Sequence, residues 1–350
     1  MYCEHFIKDM SRLGNEIDSC LNDLCSKNLL KEAIDRSFQL NPLFTIEMQM
    51  HSLHAISDMF LKSSKLQEWI QPVIKSSIER DNVAGIVMAG NIPLVGFHDF
   101  LCGLAAGYRL EIKLSGKDSL LLPSLFDTLC IINPFWKERV KFVEEISKAA
   151  NVLIATGTDE AIIKIGGYYD NIPRLLRGTR SGLALLDGTE NQRQLDSLAD
   201  DMFLYYGMGC RNVSTLLVPE NYSFMPLINS AGRYSNFADN KDFYSAYRYN
   251  RAIFKMRNEH FIDGGFFLLN EGVVFPPPLS VVNIVHYSSP EYLEFFIEKN
   301  SDYIQVKLCK KEKSGFIPFG RGQFPSLTDY ADNINTLDFL LNNCYIRIKN

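Results

Sequence analysis

The sequence lacks the patterns that mark several classes of protein. Its eight cysteines form no C-x-x-C pair and show no metal-ligand spacing, and a G-x-G-x-x-G fingerprint is also missing. That second absence argues against the usual dinucleotide-binding loop but not against a cofactor bound in another way. The most apolar region, residues 264–285, is interrupted by Glu271 and by three prolines, so we expect no membrane span. We also expect no metal site.

The net charge and the cysteine content limit which partners and which cellular compartment the sequence predicts. The net charge of −5 gives no sign of a nucleic-acid partner. Residues 1–5 show no basic region followed by an apolar one, so we expect no signal peptide. Scattered cysteines in a chain of 350 residues fit a reducing compartment, and we expect a cytoplasmic protein.

The spacing of apolar residues predicts a helical N-terminal segment followed by an α/β region. Residues 1–78 show helical periodicity. From Val83 onward, short apolar runs alternate with helical patterns, which predicts a doubly wound parallel sheet. The predicted strands cover residues 83–89, 109–114, 151–155, 183–186, 212–219, 273–287 and 303–308, with a short one at the C-terminus. The predicted helices cover residues 94–108, 140–150, 190–205, 239–258, 290–300 and 337–341, with others beginning at 119 and after 159.

A cysteine follows a small flexible turn in the segment 204–219. Gly207 and Gly209 precede Cys210, and Arg211 and Asn212 follow it. A thiol on a tight turn beside a cation can be partly ionised and reachable. Most lone cysteines simply pack, so the residue types alone leave both a structural and a nucleophilic interpretation open.

Five motifs occur in the order typical of one superfamily. They are Ala89-Gly-Asn-Ile-Pro-Leu94, Ile112-Lys-Leu-Ser115, Ala155-Thr-Gly-Thr158, Gly207-Met-Gly-Cys210 and Pro318-Phe-Gly320. With them the chain, from about residue 40 to its end, resembles the aldehyde dehydrogenase superfamily. Within it, the chain is most similar to the acyl-CoA reductases (LuxC-type fatty acid reductases) that supply fatty aldehyde in bacterial bioluminescence.

The resemblance implies an α/β, aldehyde-dehydrogenase-like fold. It would contain a doubly wound parallel-sheet cofactor domain and an α/β catalytic domain, preceded by the helical N-terminal segment. The expected boundaries are 1–78 for the helical segment, 79–203 for the NAD(P)-binding domain, 204–322 for the catalytic domain and 323–350 for a C-terminal helix and strand.

The resemblance also implies a role for each matching residue. Cys210 would be the nucleophile that becomes acylated, and Asn91 would place a side-chain amide in the oxyanion hole beside the backbone N–H of Cys210. Lys113 would contact the cofactor ribose, while Gly157 and Thr158 would open the helix that approaches the pyrophosphate. The other expected site residues are Glu271 at the cofactor ribose, Phe319 near the reacting carbonyl and His98 as a proton donor to the leaving thiolate.

Each of these residues also has a structural interpretation. Asn91 could be a turn former, Lys113 an outward-facing strand residue, and Gly157 with Thr158 an ordinary turn between a strand and a helix. The turn at 318–320 could carry a core aromatic, and His98 fits a structural histidine. The residues after Glu271 match the family spacing imperfectly, so its role stays open as well.

One departure from the superfamily bears on the reaction. Hydrolytic members carry a glutamate base upstream of the nucleophile, but the corresponding stretch here, 176–180, contains no acid. Without a base to activate water, hydrolysis of an acyl-enzyme should be slow, as a reductase requires. Arg177 and Arg180 in this stretch would lie near the cofactor or a phosphorylated carrier, or else at the surface.

A second departure bears on the cofactor. NAD-preferring members carry an acidic residue shortly after the lysine, whereas residues 114–117 here contain none. Ser115 and Lys117 could instead bind a 2′-phosphate. We therefore predict NADPH as the cofactor, with NADH as the alternative.

The resemblance implies NADPH-dependent reduction of long-chain acyl-CoA or acyl-carrier-protein thioesters to aldehydes through a Cys210 thioester. Its partners would be acyl-CoA or acyl carrier protein, with acyltransferase or synthetase subunits. Apolar residues near the site, namely Phe266, Phe267, Phe275 and Pro276–Pro278, could line an acyl tunnel or form an ordinary core. The alternatives are a CoA-acylating aldehyde dehydrogenase running oxidatively, and an acyl-binding subunit of a multi-protein reductase complex.

Overall fold

The computed structural model describes residues 2–23, 28–71 and 81–343. The chain divides into two compact units, which we call the first unit (1–178 with 325–350) and the second unit (179–324). The units meet at 178/179 and at 324/325, where the sequence predicts boundaries at 204 and 323. Residues 181–185 pair with strands of the second unit, and the C-terminal helix packs in the first unit.

The described residues form helices and strands that alternate after residue 83. The helices are α1 Tyr2–Asn22, α2 Leu29–Leu40, α3 Ile46–Phe60, α4 Ser63–Ile70, α5 Phe97–Ala105, α6 Leu121–Ile132, α7 Asp159–Tyr168, α8 Gln192–Phe203, α9 Met225–Ala231, α10 Lys241–Met256, α11 Pro290–Lys299 and α12 Thr336–Asn342. The strands are β1 Val83–Val87, β2 Arg109–Lys113, β3 Val140–Phe142, β4 Val152–Thr156, β5 Arg174–Arg177, β6 Ser181–Leu185, β7 Val213–Pro219, β8 Phe261–Asp263, β9 Leu268–Glu271, β10 Val281–Tyr287, β11 Ile304–Cys309 and β12 Ile317–Pro318.

The helical N-terminal segment is confirmed for its described part. In α1 the residues Phe6, Met10, Leu13 and Ile17 are fully buried, and their spacing is that of one helix face. Residues 72–78 of the predicted segment lie outside the described residues. No helix in the described ranges is both long and apolar enough to cross a membrane.

The first unit contains a five-stranded sheet in the order β3-β2-β1-β4-β5. All its pairs are parallel, so the predicted doubly wound sheet is confirmed. The order reverses between β1 and β4, and ligands of such folds bind beyond the carboxyl ends of the strands at this reversal. The helix predicted at 140–150 is wrong, because residues 140–142 pair with β2 and form the edge strand β3.

The second unit contains a seven-stranded sheet in the order β12-β11-β6-β7-β10-β9-β8. Its pairs are parallel except for the hairpin of β8 and β9. The strand predicted at 273–287 forms only at 281–287, because three consecutive prolines have no N–H to donate to a sheet. The short strand predicted at the C-terminus falls on residues 344–350, outside the described residues.

Candidate active site

The carboxyl edge of the first sheet brings together the predicted cofactor residues. Val87 is level with Lys113 on one side and with Ala155 on the other. The loop after β1, which carries Asn91, therefore shares this edge with the end of β2 and with the turn at 157–158. The sequence motifs pointed to one region, and the sheet order places them there.

Two neighbours hold the loop that carries Asn91. A Cβ on Gly90 would lie 2.5 Å from the Cβ of Ser115, so only glycine lets the two segments approach this closely. Leu94 lies in the left-handed region at φ 58, and its N–H donates to Asp118 Oδ2 at 2.7 Å. The position of Asn91 thus depends on the turn after β2.

The Asp118 carboxyl is buried and only half satisfied. Its Oδ1 has no hydrogen-bond partner, and burial raises the pKa of Asp118 to about 6, although the Leu94 N–H opposes this. The first carboxylate after Lys113 therefore faces into the protein. It does not line the exposed turn.

The exposed turn at 115–117 carries the residues predicted to bind a 2′-phosphate. Lys113 and Lys117 are exposed and Ser115 is half-buried. The Ser115 hydroxyl accepts from the Lys117 N–H at 3.3 Å. A Cβ at Gly116 would meet nothing within 4 Å, so the turn borders open space. A hydroxyl and a lysine beside open space suit an anionic group.

The turn at 157–158 begins α7. The Thr158 hydroxyl accepts from Ala161 N–H as the N-cap of this helix, and the Gly157 N–H donates to the carbonyl of Arg177 at 3.1 Å. Asp159 and Glu160 follow in the first turn. Their carboxylates already complement the helix dipole and would repel a pyrophosphate at this terminus.

Arg177 proves to be a buried structural cation. Its Nη1 donates to both carboxylate oxygens of Asp99, at 2.7 and 2.8 Å, and its Nη2 donates to Thr336 Oγ1 at 2.5 Å. The side chain is 2 % exposed. It therefore joins β5, α5 and α12, and the surface and carrier-binding positions expected for Arg177 are wrong. Arg180 in the second unit donates to the carbonyl of Ser301 at 3.4 Å.

His98 lies in an aromatic cluster of the first unit. Its ring stacks on Phe60 at 5.0 Å and approaches Tyr330 at 5.2 Å, while Nε2 bonds the carbonyl of Leu327. Loss of contact with water lowers the pKa of His98 to about 4. These contacts are those of a structural histidine, and the neutral ring lacks the second, acidic proton that an imidazolium would give to a leaving thiolate near pH 7.

In the second unit, Cys210 ends a tightly wound turn. Tyr205, Tyr206 and Gly207 all have left-handed backbone, at φ 58, 57 and 71. Such conformations cost of order 1 kcal/mol or more for residues other than glycine. The Tyr206 ring stacks on Phe237 at 4.1 Å, which helps to hold the turn. Cys210 itself is half-buried.

Asn212 fastens this turn to the end of α8. Its Nδ2 donates to the carbonyls of Asp201, at 3.0 Å, and of Leu204, at 2.9 Å. Its Oδ1 accepts from the Gly209 N–H at 2.8 Å. One amide thus satisfies carbonyls left open at a helix C-terminus and fixes the residue before Cys210.

The loop that carries Phe319 is tied to the same place. The N–H groups of Gly320 and Gly322 both donate to the carboxylate of Asp201. Arg211, which directly follows Cys210, donates through Nε to the Gly322 carbonyl at 2.5 Å. Phe319 is 8 % exposed. Sequence order left residues 210 and 319 far apart, and these contacts link their two loops.

Glu271 lies at the end of β9, away from the Cys210 turn. It is level with Ile284 of β10, which is level with Leu216 of β7. Cys210 precedes the start of β7, so roughly 10 Å separates the two residues along the strand direction. Glu271 instead lies 3.8 Å from His286 Nε2. The structure does not bring Glu271 and Cys210 together.

The phenylalanines predicted for an acyl tunnel pack as a core. Phe266 and Phe267 are 3 % and 0 % exposed, and their rings lie 5.2 and 4.8 Å from that of Phe203. Phe275 stacks on Tyr303 at 5.4 Å. The space around Phe266 and Phe267 is therefore filled, whereas Phe275 is half-buried beside the core.

The sequence analysis singled out none of Asp99, Asp118 and Asp201, which are three of the buried carboxylates among the described residues. A signal was present only for Asp201, which precedes Met202 and Phe203 at the apolar end of α8. Their bonding partners lie 24 to 121 residues away, so local patterns could not reveal them.

Comparison with known proteins identifies a family model and a set of solved structures that resemble this chain. Residues 54–224 match the model of the family described as acyl-CoA reductase (LuxC). Among curated proteins, none matches the sequence significantly.

Solved structures with the same fold are aldehyde dehydrogenases. Aldehyde dehydrogenase 21 from Physcomitrella patens, in complex with its reaction product succinate, has a TM-score of 0.66 and 10% identity over 97% of this chain and 84% of that chain. A double mutant of betaine aldehyde dehydrogenase from Staphylococcus aureus, with NAD+ and a BME-modified cysteine, has a TM-score of 0.62 and 12% identity over 88% and 72%. An NAD-dependent aldehyde dehydrogenase from Sinorhizobium meliloti has a TM-score of 0.62 and 11% identity over 88% and 70%.

The family match includes both the Asn91 loop and the Cys210 turn, and the structural matches extend over most of the chain. Residues 54–224 of this chain match the acyl-CoA reductase family, the chain has the fold of the aldehyde dehydrogenases, and it is an oxidoreductase acting on aldehyde or acyl groups.

Proposed function

We propose that the chain reduces long-chain acyl thioesters, from acyl-CoA or an acyl carrier protein, to aldehydes with NADPH through a thioester on Cys210. The observation that carries the proposal is the anchored turn of Cys210. Three left-handed residues and the bonds of Asn212 hold a half-buried thiol in one place.

The proposed reaction uses two groups of residues, the Cys210 turn and the loop that carries Asn91. The Cys210 thiolate attacks the thioester carbonyl, and the side-chain amide of Asn91 with the N–H of Cys210 would stabilise the oxyanion, each donor typically contributing on the order of 3 kcal/mol. The C–S bond to the carrier breaks, and the carrier thiolate takes up a proton from solvent. A bound reduced nicotinamide would supply the hydride that releases the acyl group as aldehyde, which returns Cys210 to its thiolate form and leaves the nicotinamide oxidised.

The exposed turn after β2 supports the choice of NADPH. Lys117 and Ser115 border open space, and Asp118, the nearest carboxylate along the chain, is buried against Leu94. A 2′-phosphate would meet a cation and a hydroxyl there and no exposed carboxylate of this turn. An NAD+-bound aldehyde dehydrogenase of the same fold supports a nicotinamide cofactor in general. The predicted location remains the cytoplasm. The predicted partners remain carrier proteins and acyltransferase or synthetase subunits.

The direct test mixes the protein with acyl-CoA thioesters of graded chain length, then with acyl carrier protein thioesters, in the presence of NADPH or NADH. Aldehyde is measured by trapping and mass spectrometry. We expect aldehyde with long chains and a higher kcat/KM with NADPH. No aldehyde from any thioester would remove the proposal. A Cys210 adduct that converts only when a second protein is added would favour an acyl-binding subunit.

A further inference from the structure

One carboxylate in the second unit receives hydrogen bonds from the loop that carries Phe319. Asp201 Oδ1 accepts from the Gly322 N–H at 2.9 Å, and its Oδ2 accepts from the Gly320 N–H. A Cβ at residue 322 would lie 2.7 Å from Asp201 Oδ1, and Gly320 has left-handed backbone at φ 83. Both glycines are therefore required for the contact with Asp201.

A second bond ties the same loop to the nucleophile. Arg211 donates through Nε to the carbonyl of Gly322 at 2.5 Å, and the Asp201 carbonyl accepts from Asn212. Gly322 and Asp201 are thus each joined to one of the two residues that follow Cys210. A change in the Asp201 contact would therefore alter how this loop packs against the Cys210 turn.

We propose that Asp201 is a positioning residue whose ionised form clasps the 318–322 loop, and with it Phe319, against the turn of Cys210. The assignment rests on Cys210 being the nucleophile of the proposed function. The ionised carboxyl is the strong acceptor for both N–H groups, since protonation converts one oxygen into a hydroxyl, which accepts far more weakly. Neutral Asp201 therefore weakens one end of the clasp.

The surroundings of Asp201 set the pH at which its carboxyl changes between the neutral and the ionised form. Burial raises the pKa of Asp201 to about 7, and the two N–H groups and the charge of Arg211 oppose part of that rise. The adjacent Asp200 instead bonds Arg233 and Tyr234. The charged side chain that faces Asp201 from the nucleophile turn is Arg211, and the 318–322 loop presents the two N–H groups.

The test compares the full-length protein with Asp201→Asn, and with Asp200→Asn as the matched control. Asparagine also offers a single acceptor oxygen, so this variant imitates the neutral form at every pH. Hydrogen exchange of the peptide spanning 318–322 is followed by mass spectrometry from pH 6 to pH 8, corrected for intrinsic exchange. In parallel, kcat/KM for acyl-CoA is measured over the same range.

We expect protection of the wild-type loop to rise with pH through about 7, while Asp201→Asn stays at the low-pH level and Asp200→Asn follows the wild type. At pH 8 the kcat/KM of Asp201→Asn should be about tenfold below wild type, the usual effect of losing one charge-assisted hydrogen bond, and at pH 6 the two should converge. A merely structural role would give a pH-independent difference.

Wild-type protection that does not change with pH, or equal protection in Asp201→Asn at pH 8, overturns the clasp. If the protection of the 318–322 loop depends on pH but the protein turns over no thioester, the clasp is established and the proposed function is removed instead. The exchange profile of the wild type can be measured without any variant. The proposal can therefore still be overturned if Asp201→Asn folds poorly.

Discussion

The carboxylate of Asp118 accepts a hydrogen bond from the backbone N–H of Leu94 at 2.7 Å. This bond crosses from the turn after β2 to the loop after β1. Leu94 holds a left-handed conformation that an apolar side chain seldom adopts, so Asp118 offsets part of its cost. The predicted oxyanion donor, Asn91, lies three residues earlier in that loop.

Replacing Asp118 with asparagine should change how stability depends on pH. The pKa of Asp118 is raised to about 6 in the folded protein, so the folded state holds this proton more tightly than the unfolded chain. Its contribution to stability is therefore present at low pH and lost as pH rises from about 4 to about 6. The loss is on the order of 3 kcal/mol. Asp118→Asn should lack this loss.

Urea unfolding of both proteins at several values between pH 4 and pH 8 checks this. The difference in unfolding free energy should move in favour of Asp118→Asn as pH rises. A difference that is constant with pH would show that Asp118 does not titrate in this range.

The Gly90→Ala substitution should weaken catalysis through the Asn91 loop. The new Cβ would overlap Ser115, and relieving such overpacking typically costs 1–3 kcal/mol. We expect kcat/KM to fall by roughly tenfold or more. Gly167→Ala is the matched control, because a Cβ there also meets nothing within 4 Å and the residue lies outside the candidate site. Equal losses in both variants would contradict the assignment.

Breaking the pair of Asp99 and Arg177 should destabilise the first unit. Removing one partner of a buried ion pair typically costs about 3–5 kcal/mol, so Arg177→Met should lower the unfolding free energy by that amount. The Arg251 and Asp263 pair, 43% and 31% exposed, provides the control, and Arg251→Met should cost about 1 kcal/mol or less. Chemical denaturation measures both, and equal costs would refute a structural role for Arg177.

Cys210→Ala should abolish both acylation and turnover. After incubation with a long-chain acyl-CoA and no cofactor, intact-mass analysis should show one acyl adduct on the wild type and none on the variant. The adduct should persist, because residues 176–180 supply no base to activate water. Cys130, also half-buried, gives the control, and Cys130→Ala should keep both adduct and turnover. An adduct that survives in Cys210→Ala would assign the chemistry to another cysteine.

Lys117→Ala should reduce the preference for NADPH over NADH. A lysine bonded to phosphate contributes about 1.5–3 kcal/mol, so the ratio of kcat/KM for the two cofactors should fall by roughly tenfold or more. The kcat/KM with NADH should change little. Lys148, in the same unit but after β3, gives the control as Lys148→Ala. An unchanged ratio in Lys117→Ala would place the 2′-phosphate elsewhere or exclude it.

Local patterns recovered the elements whose apolar residues repeat regularly. The strand at Val83 and the helix at Asp239 to Asn258 both appear within a few residues of their predicted bounds. The errors fall where pairing overrides local preference. Residues 140–142 have a helical pattern but complete the edge of a sheet, and the short strands β5, β8 and β12 carry too few residues to show a period.

Motif order located the loops of the candidate site, but not what holds them. The sequence predicted Asn91, Lys113 and Cys210 from short matching stretches, and the sheet order accounts for the meeting of the first two. It could not predict that Arg177 would be buried against Asp99, because the two lie 78 residues apart. For Phe319, only the link through Asp201 and Arg211 shows how its loop reaches the nucleophile turn.

The sequence by itself predicted the α/β class, the resemblance to the acyl-CoA reductases and the candidate nucleophile, because each prediction depends on residue types at short spacing. The tertiary structure alone decided which carboxylates are buried and which loops they hold. A hydrogen bond between groups 24 to 121 residues apart leaves no local pattern, and burial is a property of the packed chain rather than of the residue. The charge states of Asp118 and Asp201 follow from that packing.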